Sequence, residues 1–435
     1  MGGINGFFIS ILQGIHSFVG NYGWSVVLFT LLIRFVLLPL DIKQRKSMRA
    51  MQKIQPKQME LQRKYGHDQE KYNKKLQELY RKENVKPLAG CLPMLISFPL
   101  LIIMFSAMRN LASEQSARML LNLVQSMPAL GDGTSLQAAL SAIQIDLSGL
   151  SITPEQLDAI LQGLTLSAEQ VQAVTDLATV ALSPSQITTL TGLLTSEQAV
   201  LINEQMELFL SGITLTAQQA QTVASGIELE SWLWIKNVFN PDSFMNSILP
   251  AARAVTQDNA SILTSLQLTP ISGSEVLTEE NLQIIASFLK TPAYASIAQA
   301  MGADNFIRIP LNLVFFSPTL TLPTSFEALF SSANGLFILP LFAALSQVFM
   351  TKVLTPKQKD DAQAAAAAQQ NPMNGAFMKW FMPLLSLWWC AGYNAAFAIY
   401  WCAVNVIQIA QSFFINLYFE RKDRKAAEAA QIAEK

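Results

Sequence analysis

Charged residues, cysteine and histidine are all scarce in this chain. Only 14% of its 435 residues are charged, whereas about a quarter are charged in an average soluble domain, and the mean hydropathy is +0.29. The three cysteines lie in apolar stretches without a CxxC spacing, and there are two histidines. Disulfide frameworks, zinc sites and histidine-dependent catalytic centres are therefore not expected. The composition predicts a polytopic membrane protein of all-α fold with a sizeable water-exposed part.

The sequence also lacks the signatures of several enzyme classes. It contains no GxxxxGK[ST], HExxH or GxSxG motif, and no pair of aspartates falls within its apolar runs. Those motifs would hold a nucleotide phosphate, a catalytic zinc ion or a nucleophilic serine. We therefore predict no catalytic residue, no metal and no cofactor, and we do not expect an enzyme. The first twenty residues carry no Lys or Arg, so they lack the basic start of a cleavable signal peptide.

Five apolar runs predict transmembrane helices, because about 20 apolar residues in a helix span the hydrocarbon core. The last two come from one run that is too long for a single span, and Gly392–Tyr393–Asn394 is the natural break. The predicted spans are 21–41, 88–108, 334–354, 379–393 and 395–418.

The charges between these spans predict their orientation. Segment 41–87 holds 14 of the 30 Lys and Arg residues against 6 acids, segment 352–379 adds 4 basic residues, and the tail from 420 adds 5. The long stretch 109–333 holds 6 basic residues against 19 acids. Since Lys and Arg are enriched on the cytoplasmic side, we expect the N-terminus outside and the C-terminus in the cytoplasm.

The segments on the predicted cytoplasmic side are mostly charged and helix-forming. Segment 42–87 predicts a basic hairpin of two helices, interrupted at Pro56 and turning at Gly66, although a solvated charged linker is the alternative. A cytoplasmic loop at 355–378 and a tail at 419–435 complete this side. Residues 1–20 predict an amphipathic segment on the outer leaflet, or else an extension of the first span.

The extracytoplasmic region 109–333 carries a weak internal repeat of the form S/T-x-x-Q. Each copy precedes apolar residues at helical spacing, as in a capping box, in which the hydroxyl and the glutamine satisfy the free amides of a helix start. The repeat predicts a bundle of short helices over 135–228, with a partly disordered insert as the alternative. In the second insert, 251–333, only residues 277–290 predict a helix. The copies begin at Thr153, Ser167, Ser183, Thr195 and Thr216.

A permanent positive charge, Arg34, stands in the middle of the first predicted span. At 1.5 Å per residue it lies about 15 Å beyond Trp24, where an arginine costs about 2.5–3.5 kcal/mol on insertion scales. One interpretation is structural: Arg34 bends toward Asp41 near the cytoplasmic face. The other is functional: Arg34 faces a water-holding groove that is open to the cytoplasm, with Thr30 one turn above it on the same face.

Other predicted spans carry hydrogen-bonding side chains that could line the same groove. On the fifth span they follow at i, i+3 spacing and form a polar stripe. The alternative is that they join helices by ordinary hydrogen bonds, each worth about 0.6 kcal/mol. These residues are Ser97, Gln347, Asn405, Gln408 and Gln411.

Four stretches resemble the YidC/Oxa family of membrane insertases. They are NYGWSVVLFTLLIRFVLLPLDIKQRKSMRAMQKIQP (21–56), PLAGCLPMLISFPL (87–100), WLWIKNVFNPDSF with LFILPLFAALSQVFMTK (336–352), and MKWFMPLLS with AAFAIYWCAVNVIQIAQ (395–411). Their order, spacing and polarity agree with that family. We do not expect the extra first span and large sandwich domain of its Gram-negative members, so the chain is similar to the short, five-span form typical of Gram-positive bacteria. One departure is that Asn394, Ala395 and Ala396 stand where the family usually has Pro-Ala-Gly.

The resemblance implies a bacterial plasma-membrane protein that receives nascent membrane proteins in a polar groove centred on Arg34. The hydrophobic segments of these substrates would then pass into the bilayer, and the protein would also assist their folding. Tyr400 and Trp401 would lie on the route of the substrate, or else form an aromatic belt. Expected partners are the substrates and the lipid bilayer, with the Sec translocon and the ribosome as candidates and no DNA. A small-molecule or ion transporter is the alternative function.

Overall fold

Helices account for most of the chain in the computed structural model, which describes residues 3–83, 92–253, 257–310, 319–354 and 376–433. The predicted fold class is confirmed at this level. Two compact units are present. We call residues 4–108, 339–390 and 397–435 the bundle unit, and residues 1–3, 109–338 and 391–396 the insert unit.

The helices, in chain order, are α1 (Ile4–Val19), α2 (Tyr22–Tyr65), α3 (Gln69–Lys82), α4 (Leu92–Ser126), α5 (Leu136–Ser141), α6 (Pro154–Gly163), α7 (Ala168–Thr175), α8 (Pro184–Leu193), α9 (Ser196–Ser211), α10 (Ala217–Ser225), α11 (Asn259–Ser265), α12 (Glu279–Phe288), α13 (Pro292–Ala300), α14 (Phe326–Ser331), α15 (Ile338–Leu354), α16 (Ala376–Gly392) and α17 (Ala395–Ala433). The strands are β1 (Ile143–Asp146), β2 (Thr179–Leu182), β3 (Phe306–Pro310) and β4 (Thr319–Pro323).

The N-terminal segment forms a helix of its own. Gly20 adopts a φ of +67°, which ends α1, and the side chain of Asn21 accepts a hydrogen bond from the amide of Trp24 to begin α2. The alternative that residues 4–19 extend the first span is therefore wrong. α1 packs on α2 through the stacked rings of His16 and Tyr22, whose centroids are 3.8 Å apart.

Helix α2 continues through two prolines and ends in a hairpin with α3. The expectation that Pro56 interrupts the segment is wrong: α2 runs unbroken from Tyr22 to Tyr65. An interior proline costs about 3 kcal/mol, and contacts between α2 and α3 flank Pro56. Lys57 pairs with Glu83 at 2.6 Å, and Gln58 donates a hydrogen bond to the hydroxyl of Tyr80 at 3.1 Å. The predicted turn at Gly66 is present.

The bundle unit has apolar side chains on its surface and small polar side chains in its interior. Among its most exposed residues are Val36 at 70% and Trp388 at 69%, whereas Thr30, Ser346 and Asn405 are buried. A soluble domain has the opposite arrangement, and large exposed apolar patches mark contact with a protein or a membrane. Other exposed apolar residues are Phe35, Leu345, Phe349, Trp380, Leu384, Phe413 and Phe414.

Two helical segments in the described part of the chain are long and apolar enough to cross a membrane. They are Tyr22–Met51 and Ala395–Lys422, and Ile338–Met350 is a shorter apolar helix. The break predicted at Gly392–Asn394 is present, because α16 ends at Gly392 and α17 begins at Ala395. The count of five spans stays a prediction. Residues 84–91 and most of the predicted 355–378 loop lie outside the described residues.

In the insert unit all five predicted capping boxes form at the starts of α6 to α10. Four of their glutamines also pair with one another. Gln156 donates to Gln198 at 2.9 Å, and Gln170 and Gln186 lie 3.4 Å apart. Gln198 further donates to the carbonyl of Ser151 at 2.6 Å. The repeated glutamines therefore link distant helices in addition to capping their own.

The segment predicted as a purely helical bundle contains a short β-ladder. β1 and β2 pair antiparallel, with Ile143 opposite Leu182 and Ile145 opposite Val180. These four side chains are buried and form part of the core beneath α6 to α9. The alternation of apolar and polar residues at a period of two explains the strands, which are too short to stand out between helices.

The second insert places α12 at the centre of a separate core. Seven consecutive residues of α12, from Leu282 to Phe288, are buried, together with residues of α4, α5 and α13. The helix predicted within 277–290 is therefore present. β3 and β4 form an antiparallel hairpin with Arg308 opposite Thr321.

A buried aspartate fixes the chain where α15 begins. The Oδ1 atom of Asp242 accepts hydrogen bonds from the amides of Leu336 at 2.9 Å and Phe337 at 3.1 Å, and from Nε1 of Trp234 at 3.2 Å. Gly335 is required beside it, because a Cβ there would stand 2.1 Å from the same oxygen. The WLWIKNVFNPDSF stretch thus serves as an anchor for the start of this apolar helix.

The pairing of Gln156 with Gln198 predicts that two similar glutamine substitutions change the free energy of unfolding by different amounts. We expect Gln198→Ala to lower the free energy of unfolding of the 143–211 segment by about 1–3 kcal/mol, since it removes part-buried hydrogen bonds to Gln156 and Ser151 as well as its capping contact. Gln219→Ala, which removes only an exposed capping contact, should cost about 1 kcal/mol or less. Hydrogen exchange of the full chain reads both values. Equal losses for the two variants would contradict a structural role for the glutamine couples.

Candidate functional site

The predicted site is built mainly by α2 and α17. Nε2 of Gln411 donates a hydrogen bond to the backbone carbonyl of Arg34 at 3.5 Å. Further along both helices, Arg45 donates to the hydroxyl of Ser412, which in turn donates to the carbonyl of Gln408. Helices α2 and α17 therefore contact each other through polar groups at two levels.

The charge of Arg34 lies on one side of α2 together with two other ionisable residues. Asp41 and Arg45 follow at i+7 and i+11, which places them on the same helical face, and each interacts electrostatically with its neighbour along this row. The guanidinium also interacts electrostatically with Tyr400. Arg34 forms no ion pair with Asp41 in the described part of the chain, so the structural interpretation of this arginine lacks its expected contact.

Three buried polar atoms on α2 and α17 have no hydrogen-bond partner among the described residues. They are Oδ2 of Asp41, Nε1 of Trp401 and Oε1 of Gln411. Leaving a polar atom buried and unpaired costs about 1–3 kcal/mol, and native structures normally satisfy such atoms with protein or ordered water. The arrangement is suited to a hydrated site that offers both hydrogen-bond donors and acceptors to a polar group.

Asn405 contacts a neighbouring helix. Its Nδ2 donates to the hydroxyl of Ser346 at 2.9 Å, and Ser346 donates to the carbonyl of Ala343 at 2.9 Å. Cys402 reaches the carbonyl of Leu339 at 3.5 Å from the same side of α17. The helix-joining interpretation therefore describes Asn405 well. Its partner is Ser346, whereas the neighbouring predicted residue Gln347 is half-buried on α15.

Tyr400 and Trp401 belong to an aromatic cluster inside the bundle unit. The Trp401 ring lies edge-on to Trp389 at 5.9 Å and 5.9 Å from Phe397, and Phe397 is edge-on to Phe105 at 5.4 Å. Tyr400 is only 6% exposed. An interfacial belt would expose the polar tips of these rings to water, so the burial of Tyr400 places it within the bundle instead.

The remaining predicted site residues differ in how they are placed. Thr30 is buried, and its hydroxyl donates to the carbonyl of Val26 at 2.7 Å, so its own helix satisfies it. Gln408 is half-buried on α17. The side chain of Ser97 lies outside the described residues.

Sequence reasoning did not predict that Arg45, Ser346 and Ser412 form hydrogen bonds between helices. The periodicity of α2 could have indicated Arg45, because it follows Arg34 by eleven residues, close to three full turns. Serines have no such signal, since a buried serine in an apolar helix usually bonds to its own backbone. Their interhelical partners depend on how the helices pack.

A helical bundle with apolar residues on its surface and an arginine among polar groups in its interior defines a membrane-embedded protein. The family model of the 60Kd inner membrane protein matches residues 14–193 and 303–423, and the chain belongs to this family. This membership confirms the resemblance carried by the four sequence stretches.

Individual relatives match over shorter stretches. Proteins named membrane protein insertase YidC are 42% identical over 104 residues in Fusobacterium nucleatum, 39% over 126 residues in Clostridium perfringens, and 42% over 95 residues in Thioalkalivibrio sulfidiphilus. These matches cover 24%, 27% and 22% of this chain, and 51%, 53% and 17% of the respective relative. The chain thus spans about half the length of the first two relatives it matches.

The bond between Asn405 and Ser346 predicts an energetic coupling between α17 and α15. In a double-mutant cycle of Asn405→Ala and Ser346→Ala, we expect a coupling of about 0.6 kcal/mol, read from reversible unfolding of the full chain in bicelles. Val406→Ala is the matched control, because Val406 is 46% exposed on the same helix. The same cycle with Val406→Ala in place of Asn405→Ala should show no coupling to Ser346→Ala. Equal coupling energies in the two cycles would contradict this account.

Proposed function

We propose that this protein is a membrane insertase, which receives nascent membrane proteins in a polar groove centred on Arg34 and releases their hydrophobic segments into the bilayer. The observation that carries the proposal is the position of Arg34. It is half-buried on α2 beside Gln411 and Tyr400, while the next two residues, Phe35 and Val36, are exposed apolar side chains. The relatives named as insertases favour this function over a small-molecule or ion transporter.

The groove would act by shortening the barrier that a polar segment must cross. Its arginine attracts acidic residues in the extracytoplasmic tail of a substrate and offsets part of their desolvation. Buried groups without partners, such as Oε1 of Gln411, would exchange hydrogen bonds with water and with the passing chain. No covalent step is needed. The driving energy would come from partitioning of the apolar substrate segment into lipid and from the membrane potential acting on a negative tail.

The proposed topology has five spans, with the N-terminus outside and the C-terminus in the cytoplasm of a bacterial plasma membrane. Three basic segments then face the cytoplasm, including the hairpin of α2 and α3. Their positive charge would suit anionic headgroups or ribosomal RNA. We propose the ribosome and the Sec translocon as partners on this charge argument and on the resemblance. The five-span form is proposed on the five apolar runs of the sequence.

Substitution of Arg34 tests the charge in this mechanism. At an effective dielectric of about 20, opposite charges about 8 Å apart attract by about 2 kcal/mol, so Arg34→Ala should slow insertion of an acidic-tailed substrate roughly tenfold or more. Arg34→Lys should retain more activity than Arg34→Ala. The measurement is insertion into proteoliposomes of paired substrates that differ only in acidic or neutral tail residues.

Arg49→Ala is the control, since it removes a guanidinium from the same helix about four turns away, where it lies over the ring of Phe419. It should insert both substrates at nearly the unmodified rate. If Arg34→Ala inserts the acidic-tailed substrate at full rate, the charge part of the proposal is wrong. If it slows both substrates equally, Arg34 acts on the packing of the bundle and not on the tail.

A further inference from the structure

A cavity of about 740 Å³ in the insert unit is lined by several arginines, although the surrounding region of the sequence is acidic. Its lining includes Arg109, Arg253 and Arg308, which are half of the 6 basic residues in the stretch 109–333, against 19 acids there. Asp304 is the acidic residue on the same lining. Binding pockets for small molecules have volumes of about 300–1,000 Å³, so the space is of the right size for a ligand.

Arg253 is held in place, and one of its donors is buried without a partner among the described residues. Its backbone amide donates to the carbonyl of Leu289 at 3.1 Å, and its Nη2 donates to the hydroxyl of Ser265 at 3.1 Å. Its Nε is buried without a hydrogen-bond partner among the described residues. An unpaired charged donor is costly to bury, and an anion in the cavity would satisfy it.

Arg109 and Arg308 also line the cavity and are positively charged. Arg109 on α4 and Arg308 on β3 are both exposed, and neither forms an ion pair within the described part of the chain. Arg118 on the same helix as Arg109 behaves differently, because it pairs with Glu114 at 3.3 Å and does not line the cavity. Three arginines against one aspartate leave the lining with a net positive charge.

The rest of the lining is suited to an amphiphilic anion. Hydroxyl and amide groups of Ser113, Asn240 and Gln267 stand beside apolar side chains such as Leu120, Phe239 and Leu249. Guanidinium groups bind phosphate through paired hydrogen bonds, and arginine is favoured wherever such planar recognition occurs. The apolar side of the cavity would accommodate the carbon skeleton that carries the phosphate.

The sequence positions of two lining segments point to the source of that phosphate. Arg109 follows directly on the predicted span 88–108, and Gly392, Tyr393 and Asn394 form the break between the predicted spans 379–393 and 395–418. In the proposed topology both segments are at the outer membrane–water interface, where the phosphates of lipid headgroups lie. We propose that this cavity binds the phosphate of an anionic phospholipid, with Arg109, Arg253 and Arg308 as its cationic ligands; the lipid source rests on that topology.

Binding of phosphatidylglycerol to the full-length protein in detergent tests the proposal, with native mass spectrometry as the readout. We expect phosphatidylglycerol to bind more tightly than phosphatidylcholine. The double variant Arg109→Gln with Arg308→Gln should weaken phosphatidylglycerol binding about tenfold or more, as expected for the loss of charge-assisted hydrogen bonds. Both substituted residues are exposed, so folding is preserved. Adding Arg253→Gln should weaken binding further, and Asp304→Asn should strengthen it.

Arg118→Gln is the matched control and should leave lipid binding unchanged. Equal weakening by Arg118→Gln, or unchanged binding in the double variant, would overturn the proposal. If inorganic phosphate competes as strongly as phosphatidylglycerol, the proposal that the bound phosphate belongs to a lipid is wrong. If an acidic peptide binds in preference to the lipid, the ligand is a translocated chain segment instead. Because no insertion assay enters this experiment, its failure leaves the proposed insertase function untouched.

Discussion

The placement of a permanent charge, half-buried in a long apolar helix, is the constraint on which the bundle unit depends. Arginine stays protonated in proteins, so Arg34 must be matched by polar surroundings in place of losing its proton. The charge of Arg34 interacts with Tyr400 on α17 and with Asp41 on the same face of α2, and Gln411 donates a hydrogen bond to the backbone carbonyl of Arg34. Phe35 and Val36, which follow Arg34 directly, are exposed, so α2 carries polar contacts and exposed apolar side chains within one turn.

Much of this arrangement could be predicted from the sequence, because local physical rules determine it. The five predicted capping boxes formed because the hydroxyl and the glutamine of each box lie within one helical turn. The break at Gly392–Asn394 followed from the length of a helix that fits the bilayer. The four quoted stretches led to the correct family.

The rest could not be predicted, because it depends on contacts between distant residues. Proline predicted an interruption at Pro56, but α2 is continuous there and contacts α3 through Lys57 and Glu83. The strands β1 and β2 are too short for their alternation to be distinguished from helical spacing. The buried hydrogen bonds of Asp242 link residues nearly a hundred positions apart, and Ser346, not Gln347, meets Asn405. None of these partners has a signal in the local sequence.

The central claim is that the polar side of the α2–α17 contact is the path of the substrate. Site-specific photocrosslinking to a ribosome-stalled nascent membrane protein tests it most directly, with the probe placed at position 411 beside Arg34 or at the lipid-facing position 36 on the other side of α2. The account predicts that the probe at position 411 crosslinks to the nascent chain, and that these crosslinks vanish once the apolar segment of the nascent chain is released. While the chain is held there, the probe at position 36 should crosslink to lipid. Nascent-chain crosslinks from position 36 alone, with none from position 411, would contradict it.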